Sequence, residues 1–278
     1  MTPGIWNILK QDPESDLFWY WLPGWSFTPA VYAELAKQLP GTHLGLDYPT
    51  LYNGLYNPMK ADETAPQFSD AVDKIISQTA RPGHWVGWSL GGALARAVCS
   101  RLQNQSANPS QNQSQSQTAK AQPLSLTTMA TGNTFLQYNV DEPGMAADVF
   151  FNFCRSFDKM PAKTLKRFLA LCCQGATANG ENIQRELATG LLRYQIAGDA
   201  DREAMLSTSL QWLTQYKLNS QYPLTEGFRS TAIYASDDAL KPGGLKATDV
   251  ISAGHSHALI AEADAKQVIL QQLGTLHG

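Results

Sequence analysis

Long apolar runs are missing from this chain of 278 residues. No uninterrupted stretch approaches the ~20 residues of a membrane-spanning helix, which excludes a membrane-embedded helical protein. Charge is also sparse, at 16% Asp, Glu, Lys and Arg, with a formal net charge of -3. That balance supplies no general attraction to nucleic acid or to an anionic membrane, so neither is expected as a partner. Cysteine is limited to Cys99, Cys154, Cys172 and Cys173. None is spaced with histidine as metal ligands are, and the adjacent pair cannot easily bridge to itself. Reduced thiols follow, with no disulfide framework, no metal and no cofactor expected. The start, Met1-Thr2-Pro3-Gly4, lacks a basic segment leading into an apolar one, so no signal peptide is evident and a cytoplasmic monomer is expected. What is present in ordinary measure is apolar side chain, 43% of the residues. A chain of this length can bury a full core, as one large domain or two small ones.

Strand and helix patterns alternate along the first half. Ile5–Leu9 reads as a short strand, and Leu17–Leu22 as an apolar strand buried on both faces, ending in Pro23-Gly24. A helix is expected from about Ala30 to Leu39, a strand at Leu44–Tyr48 and a helix over Ala65–Thr79. A second buried strand precedes Ser89, and another spans Leu124–Ala130. Between them, residues 103–122 collapse into Gln, Asn and Ser, a composition that cannot offset its ordering entropy and reads as a flexible surface insertion. Residues 141–223 carry helical patterns only: Ala146–Phe157, Ala162–Cys172, Asn182–Arg193 and Asp201–Gln215. Alternation resumes with strands at Ser230–Ala235 and Ala247–Ile251 and a closing helix over Ala258–Leu276. The expected architecture is a doubly wound α/β fold, a mostly parallel sheet with helices on both faces and an inserted helical cap. The core would comprise residues 1–140 and 224–278, and the cap residues 141–223.

The chemistry concentrates at Gly87-x-Ser89-x-Gly91, placed between an apolar strand and an Ala-rich helix expected from Ala93 to about Arg101. This is the nucleophile elbow of α/β-hydrolases. Its turn is tight enough that side chains two places before and after the serine would collide, so glycines are required there. The serine hydroxyl is lifted above the sheet, and the Leu90 N–H is left at a helix N-terminus, facing a developing oxyanion. A second donor is expected from the turn Leu22-Pro23-Gly24-Trp25, through the backbone N–H of Trp25.

In this fold the acid and base follow the serine in chain order. The acid should follow a late strand, and Ile233–Ser236 runs into Asp237 and Asp238. Position just before a short apolar-x-Pro favours Asp238, with Asp237 as runner-up. The base should lie in the loop after the last strand, where Gly254-His255-Ser256-His257 offers two histidines. A small residue before it and an apolar helix after it favour His255 over His257, which could be a pocket residue or a polar group at the helix start. His43, His84 and His277 read as surface or interface residues.

Ile5-Trp6, Pro23-Gly24-Trp25, Trp85-Val86-Gly87-Trp88-Ser89-Leu90-Gly91-Gly92 and Lys166-Arg167-Phe168-Leu169-Ala170-Leu171 together resemble the BioH family, the pimeloyl-acyl-carrier-protein methyl ester esterases. The resemblance covers nearly the whole chain outside the Gln/Ser insertion. It implies hydrolysis of the methyl ester of a pimeloyl chain held on acyl carrier protein in biotin synthesis, with Ser89, Asp238 and His255 as triad. It also implies that Lys163 and Arg167, with Lys166 alongside, hold the acidic carrier. Two further basic positions of the family fall near Gly180 and Gln184, and Arg185 is offset by one. Pro23 stands where many relatives have histidine. Two other functions stay open, a carboxylesterase of other substrates and a non-catalytic binding protein of the same fold.

Overall fold

The computed structural model describes residues 4–56, 64–107, 121–137, 144–196, 198–217, 221–240, 250–252 and 254–275. Most of the Gln/Ser-rich stretch, Lys241-Pro242, residues 247–249 and His277 lie outside the described residues. Among the described residues, seven strands form the central sheet, in the order β1-β3-β2-β4-β5-β6-β7. They are β1 (Trp6–Lys10), β2 (Phe18–Leu22), β3 (Thr42–Leu46), β4 (Gly83–Trp88), β5 (Pro123–Met129), β6 (Ser230–Ala235) and β7 (Val250–Ser252). Every neighbouring pair is parallel except β1 with β3.

Alternating side chains of the inner strands divide the core in two. Tyr20, Leu22 and Trp85 pack with α3 (Phe68–Ser77) and α4 (Leu90–Ala107). Trp19, Trp21, Val86 and Trp88 pack with α1 (Ala33–Lys37) and, at the end of the chain, α9 (Ala263–Gly274). Helices therefore cover both faces, which is why β2 and β4 read as unbroken apolar runs. His43 and His84 are buried in the second layer, so their expected surface placement is corrected. The Trp19 ring lies 5.7 Å from that of His43 and 4.6 Å from that of His84. His84 Nδ1 meets Ser125 Oγ at 2.7 Å, and Trp21 Nε1 donates to His43 Nδ1 at 3.0 Å.

Between β5 and β6 stands a helical block: α5 (Ala147–Lys159), α6 (Pro161–Cys172), α7 (Gln184–Leu192) and α8 (Ala200–Gln215). Pro161 occupies the first turn of α6, where its missing N–H costs nothing. Inward-facing residues of the block join both core layers at the ends of the strands, among them Phe157 and Leu165 in one and Leu169 and Cys172 in the other.

Three boundaries differ from the sequence expectation. A short helix α2 (Tyr48–Asn53) follows β3 directly, with Asp47 accepting from the Thr50 N–H and hydroxyl. α4 starts at Leu90 and runs through Ala107, five residues into the expected insertion. The closing helix begins at Ala263 rather than Ala258, because residues 256–262 wind through successive tight turns. Leu259 N–H bonds Ser256 C=O at 3.1 Å and Ala261 N–H bonds Ala258 C=O at 2.8 Å.

Candidate active site

Ser89 has φ of 54°, the left-handed region that a non-glycine residue enters only under constraint. Its neighbours supply the constraint. A Cβ on Gly87 would lie 2.4 Å from the Gly91 carbonyl oxygen, and one on Gly91 only 2.0 Å from that of Leu22. The elbow thus touches its own far side and the end of β2 through bare backbone. Ser89 N–H donates to Met129 C=O at 2.8 Å, and the Thr131 hydroxyl donates to Ser89 C=O at 2.9 Å. With both backbone groups of the serine tied down, α4 starts at the next residue.

The turn after β2 is held by two buried phenols. Tyr32 donates to Leu22 C=O at 2.8 Å and Tyr48 to Pro23 C=O at 2.7 Å. Burial pushes both hydroxyls well above their usual pKa, so they remain neutral donors. Sequence patterning gave no sign of this pair. The backbone N–H groups of Trp25 and Leu90 donate to no carbonyl among the described residues. The Trp25 ring is anchored by its Nε1 on Leu206 C=O at 2.9 Å and edge-on to Phe153, Phe157 and Phe168. It joins the turn to α5, α6 and α8.

Asp238 and His257 form the one buried carboxylate–imidazole pair among the described residues, with Oδ2 to Nδ1 at 2.8 Å. Asp238 follows β6, and its other oxygen accepts the Leu240 N–H at 2.7 Å. Asp237 next to it is exposed. The expected pairing of Asp238 with His255 is corrected. The His255 ring turns back to Ser252 Oγ at 2.9 Å, while its carbonyl accepts the Asp237 N–H at 3.0 Å. Both contacts hold it beside β6 and β7. Gly254, at φ of 73°, donates its N–H to Ser236 Oγ at 2.8 Å, and His257 lies three residues further on. There Trp88 Nε1 donates to His257 C=O at 2.8 Å. The signal used for His255 also fits His257, which has Ser256 before it and Ala258-Leu259-Ile260 after it.

Among the described residues, the buried His257 Nε2 has no hydrogen-bond partner. His257 and Ser89 line the same cavity. Trp25, Phe135, Phe150, Phe168 and Leu210 contribute to its walls, and no Lys, Arg, Asp or Glu is among the lining residues. Ser89, Asp238, His257 and Trp25 all follow the carboxyl ends of parallel strands, where α/β sheets open a crevice.

Lys163, Lys166 and Arg167 are exposed together on α6, whose opposite side buries Thr164, Leu165, Leu169 and Cys172. Phe168 and Leu171 of the same helix face the cavity. Gly180 is a turn residue at φ of 80°, and Gln184 reaches Ala170 C=O at 3.2 Å. Arg185 is exposed on α7.

The architecture, a mostly parallel seven-stranded sheet with the elbow after its fourth strand in chain order, is the α/β-hydrolase fold. A solved esterase from Exiguobacterium antarcticum superposes with a TM-score of 0.63 at 14% identity, covering 94% of this chain and 92% of that one. Among curated proteins the chain is similar to pimeloyl-(acyl-carrier protein) methyl ester esterases. That of Shewanella woodyi is 25% identical over 206 residues, 74% of this chain and 70% of the relative. That of Edwardsiella ictaluri is 25% identical over 252 residues, 85% of this chain and 84% of the relative. No family model matches the chain. Both the solved neighbour and these curated relatives carry the name esterase.

Proposed function

We propose that the chain is a serine carboxylesterase with Ser89 as nucleophile, His257 as base and Asp238 as the acid that orients it. The observation that carries this reading is the buried Asp238–His257 pair, whose free Nε2 shares a cavity with a serine held at φ of 54°. Asp238 fixes the proton on Nδ1, which leaves Nε2 as the acceptor. Ser89 Oγ attacks the ester carbonyl as its proton passes to Nε2. The carbonyl oxygen gathers negative charge against the Trp25 and Leu90 N–H groups, donors of a kind each worth about 10²–10³ in rate. His257 then returns the proton to the departing alcohol. A water molecule repeats the sequence on the acyl-enzyme and releases the acid.

The finer reading is that the substrate is the methyl ester of a pimeloyl chain on acyl carrier protein, with methanol leaving. The relatives' name supports it. So does the cavity, since walls without charge suit an alkyl chain ending in a neutral ester and disfavour the carboxylate product. The helical block would cap the cavity, and the exposed Lys163, Lys166 and Arg167 would meet the acidic carrier. The test is hydrolysis of the carrier-linked methyl ester by the purified protein, alongside growth without biotin of a strain lacking its own esterase. Turnover of p-nitrophenyl esters with failure on both would leave a carboxylesterase of other substrates. Failure on every ester would leave a binding protein.

A further inference from the structure

Glu262 is 2% exposed, yet it pairs with no cation among the described residues. It sits at the N-cap of α9 but gives that helix no side-chain cap. Instead its side chain turns back along the chain. One carboxylate oxygen, Oε1, accepts both the Ser256 N–H at 2.8 Å and the Ser256 hydroxyl at 2.7 Å. Having donated, Ser256 Oγ accepts the Ala258 N–H at 3.2 Å, a donor shared with Cys172 C=O at 3.0 Å. The residues on either side of His257 are therefore tied to one buried oxygen atom, one directly and the other through a hydroxyl. Oε2 is left buried with no partner among the described residues.

A serine at position 262 could cap α9 without burying a carboxylate, so the fold of the helix does not account for this residue. Charge-assisted bonds to a loop beside a functional side chain do account for it. Asp238 sets the tautomer and tilt of the His257 ring, and Trp88 holds its carbonyl. Neither fixes the backbone on both sides of it.

We propose that Glu262 is a positioning residue for His257, acting through Ser256, an inference that rests on the triad reading above. With the carboxylate gone, the loop loses its two short bonds and Nε2 wanders from the attack geometry. Misplacement on the scale of 1 Å costs about 10²-fold in rate.

The test compares Glu262→Ala, Glu262→Gln and Ser256→Ala with the wild type on a p-nitrophenyl ester. Glu262→Ala should lower kcat by roughly 10–100-fold while KM changes less than about 3-fold. Glu262→Gln, whose amide oxygen can accept the same pair of bonds, should recover most of that loss. Ser256→Ala keeps the N–H but loses the hydroxyl, and should fall about 3–10-fold in kcat alone. The double variant should be no worse than Glu262→Ala, because both changes break one linkage. The low-field proton resonance of His257 Nδ1–H should broaden in Glu262→Ala, a readout that loss of helix stability does not move. A lower Tm with wild-type kcat and an unchanged resonance would overturn the proposal. Should Glu262→Ala fail to fold, wild-type kcat in Ser256→Ala would overturn it equally. His257→Ala serves as the control. If it stays active, the triad reading falls and takes the clamp with it; if it is inactive while the clamp variants keep full kcat, only the clamp falls.

Discussion

Ser89 and His257 reach the same cavity from segments of opposite character. The elbow is short, glycine-lined and closed on itself: its geometry is set by which side chains are missing at 87 and 91. The histidine loop is held by long-range partners instead. Its bonds run to Ser236 and Asp238 after β6, to Trp88 in β4, to Cys172 in α6 and to Glu262 ahead of α9. Steric exclusion is local and legible in a few consecutive residues. A web of bonds between distant elements is not.

The largest break in this comparison should come from Ser89→Ala. We expect a folded protein whose kcat on a p-nitrophenyl ester falls by roughly 10⁴–10⁶. Near-normal turnover in the pure variant would remove Ser89 from the mechanism. His257→Ala should match it on the same scale, while His255→Ala should lose less than about 10-fold, since that ring bonds only Ser252 among the described residues. The opposite ranking would hand the base back to His255.

Next in size is the acid. Asp238→Asn keeps the shape but can hold the wrong imidazole tautomer, at up to ~10⁴ in rate, whereas the exposed Asp237→Asn should stay within a few-fold. Steady-state kinetics of the two variants side by side decide it.

Gly91 and its neighbour Gly92 sharpen the steric half of the comparison through stability. In Gly91→Ala the new Cβ meets backbone, the Leu22 carbonyl at 2.0 Å, and should cost at or above the ~1–3 kcal/mol of ordinary overpacking. Gly92→Ala meets side-chain atoms instead, Thr131 Oγ1 at 2.0 Å and Cβ at 2.8 Å, so relief costs the Thr131 bond to Ser89 C=O and a small shift rather than displacement of the end of β2. Urea midpoints should therefore drop further for position 91. Equal drops would show that the backbone contact is not what makes the elbow strict.

The smallest effect concerns a surface. Reversing Lys163 and Arg167 to Glu should weaken turnover of the carrier-linked ester about tenfold at 0.1 M salt and less at 1 M, where the Debye length shrinks from ~10 Å to ~3 Å. A small soluble ester should be unaffected. Equal losses on both substrates would indicate a distorted helical block, and no loss would make this face an ordinary solvated one.

The contrast explains how much of the molecule could be read in advance. Strands β2, β4 and β6 and helices α5, α6 and α8 came within a few residues of expectation, because burial on both faces or one imposes a period on the sequence. Misses gathered where tertiary bonds outweigh local pattern. The tight turns at 256–262 carry apolar residues that read as the first turn of a helix. His43 and His84 looked like surface groups because nothing nearby announces the tryptophan layer that buries them. Tyr32 and Tyr48 gave no sign at all of meeting the carbonyls after β2.

By itself the sequence determined the alternating sheet and helices, the helical block between β5 and β6, and the strained serine between two obligatory glycines. Each follows from short-range rules of periodicity and excluded volume that act on neighbouring residues. The choice between two histidines a single residue apart was decided only in three dimensions. Both satisfy the same local pattern, and which of them faces Asp238 depends on where β4, β6, α6 and α9 deliver the partners that hold the loop.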